Sequence, residues 1–310
     1  LLPPTMDFVF KGLFGNGFPG VRGIARTYPQ LLGLGFPGQV AKALGYPPIV
    51  GLEKAGILIS FLNAVLTPDE PITSITFKDR TIDKQYKNDK LGSLDILART
   101  NKGELINVEV QVADERNMIE HSLFYWSRLF SGQLQGGNPY QKLERTVCIN
   151  LLDFDLLDTL EYHSCYVLKE RGEMKISDLF ELHFIELNKI KDIKQSSEIK
   201  NQLEAWLGFI KHPESQVSYE LARRDETIRE AKDELLVLSC NEQFRLYYEV
   251  RLKALLDETS RLQTARDEGK IERDLEIATN LLDVLDDETI SLKTGLPLNT
   301  IQQLRKSSTK

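Results

Sequence analysis

Polar and apolar residues alternate most cleanly over two short segments near the first third of the chain. Ile106, Val108, Val110 and Val112 alternate with Asn107, Glu109 and Gln111, and upstream Leu94, Ile96 and Ala98 alternate with Ser93, Asp95 and Arg99. A period of two predicts two half-buried strands. Between them Asn101-Lys102-Gly103 reads as a three-residue hairpin loop, with Gly103 supplying the left-handed residue. If Thr100 pairs with Glu104, counting back along both strands sets Asp95 opposite Glu109. Directly opposed residues on one sheet face lie about 5 Å apart at Cβ. Two carboxylates that close repel unless a proton or a cation lies between them. Such oxygen donors suit Mg2+ or Mn2+. Gln111 shares the face of Glu109. A solvated sheet face would show the same alternation without any metal.

The rest of the chain reads as a mixed α/β plan followed by helices. A short helix is expected near the start, capped by Thr5 or Asp7. Residues 16–52 then contain no acid, eight glycines and five prolines, and Gly-Phe-Pro-Gly occurs at 17–20 and 35–38. This is read as a low-complexity insertion at about 16–53. An apolar helix over Ile57–Leu66 is ended by Pro68, and Ile72–Phe77 is expected to be a strand. Residues 115–135 read as an amphipathic helix buried through Ile119, Leu123, Trp126, Phe130 and Leu134, stopped at Gly136-Gly137-Asn138-Pro139. Strands are expected at Thr146–Leu152, Ser164–Leu168 and Leu182–Leu187. From about residue 196 only helix is expected. The predicted buried set over 216–270 is Tyr219, Ile228, Leu235, Leu238, Phe244, Tyr247, Tyr248, Leu252 and Leu255. Three regions follow: 1–195 as an α/β domain carrying the insertion, 196–270 as charged helix, and 271–310 as a helix-turn-helix-like tail turning at Gly295. That tail carries five basic and seven acidic side chains, which points to dimerisation or packing rather than DNA reading.

Composition changes this picture little. At 310 residues, with 41% hydrophobic and 27% charged residues, the chain has an ordinary globular make-up. No apolar run approaches the roughly 18 residues a membrane span needs, and no signal peptide opens the chain, so a cytoplasmic protein is expected. It opens at Leu1 rather than methionine, as expected of a frame entered internally or a processed chain. Cys148, Cys165 and Cys240 are well separated in apolar settings and read as reduced core thiols without zinc-type spacing. His121, His163, His183 and His212 are scattered, which speaks against a histidine-based metal site. A net charge of −7 argues against a protein that coats DNA non-specifically. Local basic contacts could come from residues 78–90, where Lys78, Arg80, Lys84, Lys87 and Lys90 precede the Asp95 strand.

Several blocks together resemble one family. They are Asp7-Phe8-Val9-Phe10-Lys11, the helix Ile59–Leu66, Leu94-Asp95-Ile96, Val108-Glu109-Val110-Gln111, Ser122-Leu123-Phe124-Tyr125-Trp126-Ser127, Gly137-Asn138-Pro139-Tyr140 and Cys148–Phe154. Asp287-Glu288-Thr289-Ile290 and Thr294-Gly295-Leu296 continue the order. The chain resembles the Rpn-type recombination-promoting nucleases, or PD-(D/E)xK nuclease family transposases, over residues 1–15 and from about 54 onward. The resemblance implies an α/β, restriction-endonuclease-like mixed-sheet core with an all-helical C-terminal region. It implies Mg2+-dependent hydrolysis of DNA phosphodiester bonds in recombination, with Mn2+ substituting. Asp95 and Glu109 match the metal ligands, and Gln111 stands at the position of the usual lysine, completing the catalytic set. Candidate DNA contacts are Lys11, Lys84, Lys87, Lys90 and His121. The implied partner is DNA; the charge balance of the tail points to a homo-oligomer through the helical C-terminal region, and the lack of a long apolar run to no membrane.

Three features depart from the family pattern, the absent initiator methionine among them. The insertion interrupts the passage from the first helix to the second, and His121 stands where an arginine is expected, removing a permanent cation. The alternative reading is therefore a catalytically decayed, nuclease-fold DNA-binding or oligomerisation protein. No P-loop, GxSxG or histidine-centred triad supports another catalytic class.

Overall fold

The computed structural model describes residues 7–14, 54–78, 81–82, 92–114, 116–172, 174–240 and 242–308. The sequence-predicted insertion at about 16–53 and Lys84, Lys87 and Lys90 lie outside the described residues. The chain divides into two compact units, Leu1–Tyr248 and Glu249–Lys310.

The first unit is organised by a six-stranded mixed sheet. Its strands are β1 (Ile75–Phe77), β4 (Ile96–Thr100), β5 (Leu105–Gln111), β6 (Thr146–Leu152), β7 (His163–Val167) and β8 (Phe180–Glu186), in the order β1-β4-β5-β6-β8-β7. Two further short strands, β2 (Thr81–Ile82) and β3 (Gly92–Ser93), pair separately. The central strands β5, β6 and β8 run parallel, and the flanking pairs β1–β4, β4–β5 and β7–β8 are antiparallel. Helix α3 (Met118–Ser131) makes the crossover between the parallel neighbours β5 and β6, as a parallel connection requires.

Both faces of the sheet are covered, which is why β6 and β8 are buried along their whole length and β5 everywhere but at its last residue, Gln111. On one face α3 packs through Met118 and Leu129 onto Leu97, Cys148, Leu152, Phe180, Leu182 and Phe184. Facing the other side are the helices α1 (Asp7–Phe14), α2 (Lys54–Leu66), α4 (Gln202–Lys211), α5 (Gln216–Arg224) and α6 (Glu226–Cys240). Of these, α1 packs against α2, α6 and β5. Their core is aromatic. Phe14 lies 5.3 Å from the ring of Phe61 and 5.6 Å from that of Trp206. The Trp206 indole N–H donates to Ser60 Oγ at 3.2 Å, so its one polar atom is satisfied.

The predicted apolar stripe of α3 holds only in part: Trp126 packs against this core, 4.7 Å from the ring of Phe180. Ile119 and Leu123 are 41% and 44% exposed, and the buried residues are Met118, Ser122 and Leu129. The helix also ends at Gly132, ahead of the expected stop. Tyr219, expected in the core, is 45% exposed and carries the Lys232 amine 3.3 Å above its ring. Ile228, Leu235 and Leu238 are buried as expected. Among the cysteines Cys148 is buried, whereas Cys165 and Cys240 are exposed, because one sits on the edge strand β7 and the other ends α6.

The long helix α7 (Glu242–Leu281) runs into the second unit, where α8 (Asp287–Thr294) and α9 (Leu298–Ser308) follow. Ala278, Leu282, Ile290, Leu296 and Ile301 form a small core there. Asp286 caps α8 by accepting the Thr289 N–H at 2.9 Å, and Gly295, at φ 74, closes it in the left-handed conformation. Gly295 and the short segment after it join α8 to α9.

Candidate active site

The hairpin has the expected register. Ile96 pairs with Val108, Leu97 with Asn107 and Ala98 with Ile106. The turn is closed by the Thr100 N–H donating to Glu104 O at 3.0 Å, with Gly103 at φ 90. Continuing that register by one step places Asp95 across from Glu109. Both are buried, at 6% exposure each.

Side chains at the end of this ladder replace backbone bonds. Asp95 Oδ2 accepts the Val110 N–H at 2.9 Å, and the Asp95 N–H points at Glu109 Oε1 at 3.4 Å. Glu109 Oε1 also accepts from Asn107 Nδ2 at 3.1 Å. Asp95 thus ends the β4–β5 pairing and holds its carboxylate to the neighbouring strand in one stroke. Asn107 fixes one oxygen of Glu109 from two residues away on the same face. Gln111 follows on that face, half-buried, where β5 ends.

Strand β6 and helix α3 supply the surroundings. Asn150 is the parallel partner of Glu109, and Cys148 that of Asn107. The buried Asn150 amide donates to His183 O at 3.0 Å, while its carbonyl oxygen accepts from Ser122 Oγ at 3.0 Å. The small Ser122 is what α3 turns toward the sheet here, since a large apolar side chain would face a polar floor. One helical step away, the His121 and Tyr125 rings lie 4.4 Å apart. Burial and then the negative charge of Glu109 hold the Tyr125 phenol above its ordinary pKa, and the same two causes push the Cys148 thiol up. Glu109, Cys148 and Asn150 share the sheet face that α3 covers.

Of the sequence-predicted residues, Asp95, Glu109 and Gln111 share one face, and His121 stands on the helix above it. Lys11 lies on α1, and its side chain is outside the described residues. Four residues about the acids were missed: Asn107, Ser122, Tyr125 and Asn150. Asn107 carried a signal, being a polar residue at the two-residue spacing from Glu109. Asn150 carried a fainter one, as the single amide in the apolar run Val147–Leu152.

Two buried carboxylates facing one another carry a repulsion that a divalent cation relieves. Their hard oxygen atoms match Mg2+ or Mn2+, so the donor set fits such an ion.

A mixed sheet covered on both faces, with paired acids on a hairpin joined to its parallel centre, defines a restriction-endonuclease-like nuclease fold. The model of the PD-(D/E)XK nuclease family transposases matches residues 50–265, well over half of the chain. The chain belongs to that family. No curated protein and no solved structure matches it. Members of the family are nuclease-like proteins that typically depend on a divalent metal. Among the described residues no helix is long and apolar enough to cross a membrane.

Proposed function

We propose that this chain is a Mg2+-dependent DNA endonuclease that hydrolyses phosphodiester bonds, with Asp95, Glu109 and Gln111 as its catalytic set. The observation that carries the reading is the pair of buried carboxylates, Asp95 and Glu109, facing each other across a hairpin of fixed register. Asp95 and Glu109 would hold the cation. When bound, that ion supplies charge neutralisation and Lewis-acid polarisation at the phosphate.

The chain's own groups prepare for this before any substrate arrives. The Val110 N–H and the Asn107 amide hold one oxygen of each carboxylate in place, so little reorganisation is left for the reaction itself. Gln111, as an amide, can orient a water or a phosphate oxygen by hydrogen bonds but adds no positive charge. Charge stabilisation therefore leans on the metal and on cations from elsewhere in the chain. We assign the phosphate contacts to Lys11, Lys84, Lys87, Lys90 and His121. The last three lysines precede Asp95 closely in sequence, and a locally basic run offsets the net charge of −7.

The test is nicking of supercoiled plasmid by the purified protein with Mg2+ or Mn2+, beside an EDTA control and the Asp95→Ala variant. Cutting that disappears in both controls is the expected result. No cutting in either metal from a folded protein would assign the chain to the catalytically decayed reading instead.

A further inference from the structure

The opposite face of the same sheet brings together residues that the sequence keeps apart. In the antiparallel β7–β8 pair, Cys165 is the direct partner of His183, and Glu181 lies two residues before His183 on the same face. The Cys165 sulfur, a His183 ring nitrogen and a Glu181 oxygen all lie within 4.8 Å of one another. His183 Nε2 is 2.8 Å from Glu181 Oε1 and 3.8 Å from Cys165 Sγ. We propose that Cys165, Glu181 and His183 form a second metal site, one that takes Zn2+ and is independent of the Asp95–Glu109 pair.

The donor chemistry separates the two sites. Thiolate, imidazole and carboxylate suit the borderline-soft Zn2+, whereas an all-oxygen pair suits Mg2+. Tetrahedral Zn2+ with bonds of about 2.0–2.3 Å needs about 3.6 Å between its nitrogen and sulfur donors and about 3.4 Å between nitrogen and oxygen. The sulfur is already close to that spacing. The His183–Glu181 contact must open by about 0.6 Å, the difference expected when an ion replaces a bridging proton.

Outer groups are also in place. His183 Nδ1 is 2.8 Å from His163 Nε2, which lets His163 orient the ring from its far side. The other Glu181 oxygen is held by Arg145, Nη2 to Oε2 at 2.5 Å, and Arg145 is itself paired with Glu104 at 2.8 Å. Glu181 and His183 are buried, while Cys165 is exposed on the edge strand and gives an ion its way in. On binding, the Cys165 thiol releases its proton. The His183 ring proton passes from Nε2 to Nδ1, where it donates to His163 Nε2, and His163 carries its own proton on Nδ1. Three protein donors leave a fourth position for solvent.

The test uses the full chain, stripped with EDTA, and Co2+ as a spectroscopic stand-in for Zn2+. One equivalent of Co2+ should give a thiolate-to-cobalt charge-transfer band in the near ultraviolet that Zn2+ abolishes. The band should be lost in Cys165→Ser and kept in Asp95→Asn, which keeps failure here distinct from failure of the nuclease reading. A second measurement needs no variant: Zn2+ should slow maleimide labelling of Cys165, with the exposed Cys240 as an internal control. No band in the parent protein, a band that survives in Cys165→Ser, or labelling of Cys165 that Zn2+ leaves unchanged would overturn the proposal.

Discussion

Two substitutions at Asp95 separate its structural duty from its chemical one. Its carboxylate accepts the Val110 N–H at 2.9 Å inside a buried site. Asp95→Ala removes that acceptor and strands a buried donor, at a cost of about 1–3 kcal/mol. Relief of the repulsion from Glu109 returns part of this, so a net loss of about 1 kcal/mol is expected in EDTA, a fall in Tm of about 2–4 °C for a unit of this size. Asp95→Asn keeps an oxygen for Val110 and also removes the repulsion, so its Tm in EDTA should equal or exceed that of the parent. Mg2+ at ten times its dissociation constant should stabilise the parent by about 1.4 kcal/mol and leave both variants unmoved. Thermal unfolding with and without Mg2+, run beside plasmid nicking, reads all of this. If Asp95→Asn falls as far as Asp95→Ala, the Val110 contact is not what Asp95 contributes to the fold. If Asp95→Asn still responds to Mg2+ or still cuts, Asp95 is not a metal ligand.

Three other predictions concern the packing within each unit. Trp206→Ala should cost about 3–5 kcal/mol in urea unfolding, because the fully buried indole touches the rings of Phe14, Phe61 and Phe209. Lys232, 8% exposed, lies over Tyr219 and donates to Pro213 O and Ser218 Oγ; burial lowers its pKa to about 8 against the pull of Glu214 and Asp233. Between pH 8 and its ordinary value of 10.5 the unfolded chain holds a proton that the folded chain has lost, so this group makes stability rise with pH across that window. Urea unfolding on either side of pH 8 should show that rise flattened in Lys232→Met. In the second unit Arg305 donates to Leu282 O and Leu285 O and pairs with Asp287. Arg305→Ala should raise hydrogen exchange across α8 and α9 about tenfold, equivalent to about 1.4 kcal/mol of local stability; unchanged exchange would show that these bonds do not hold the unit closed.

How much of this was legible depended on sequence distance. The hairpin could be read in full because its strands, its loop and its register are all set within a few residues of Gly103, and the two acids fall inside that span. Helix α3 was found, with Trp126 against the core, but its fully buried positions Met118, Ser122 and Leu129 lie one residue before the expected Ile119, Leu123 and Phe130. Its apolar residues Ile119 and Leu123 outrank Ser122 in any hydrophobic stripe, yet the floor beneath the helix is polar at Glu109 and Asn150. A small hydroxyl that can bond Asn150 is therefore the residue that fits. The competing demand came from another strand, which periodicity within the helix could not register.

The same reasoning explains why the histidines and cysteines misled. His163, Cys165 and His183 look scattered because the connection between β7 and β8 pairs in one register, Lys169 with Lys175, and the strands in another, Cys165 with His183. Strands β7 and β8 are consecutive and antiparallel, so Cys165 and His183, eighteen residues apart, meet through a local strand pair whose register the connecting turn does not give. Glu181 shares their face only because β8 alternates from His183. Local alternation thus identified the groups proposed to hold Mg2+, while the braces of those groups depend on strand order and the proposed Zn2+ donors on the shifted β7–β8 register. A sequence carries strand order only through the sum of its long-range contacts. The acids of such a fold are accordingly the readable part, and the side chains that hold them, Asn150 and Ser122 here, emerge only with the sheet.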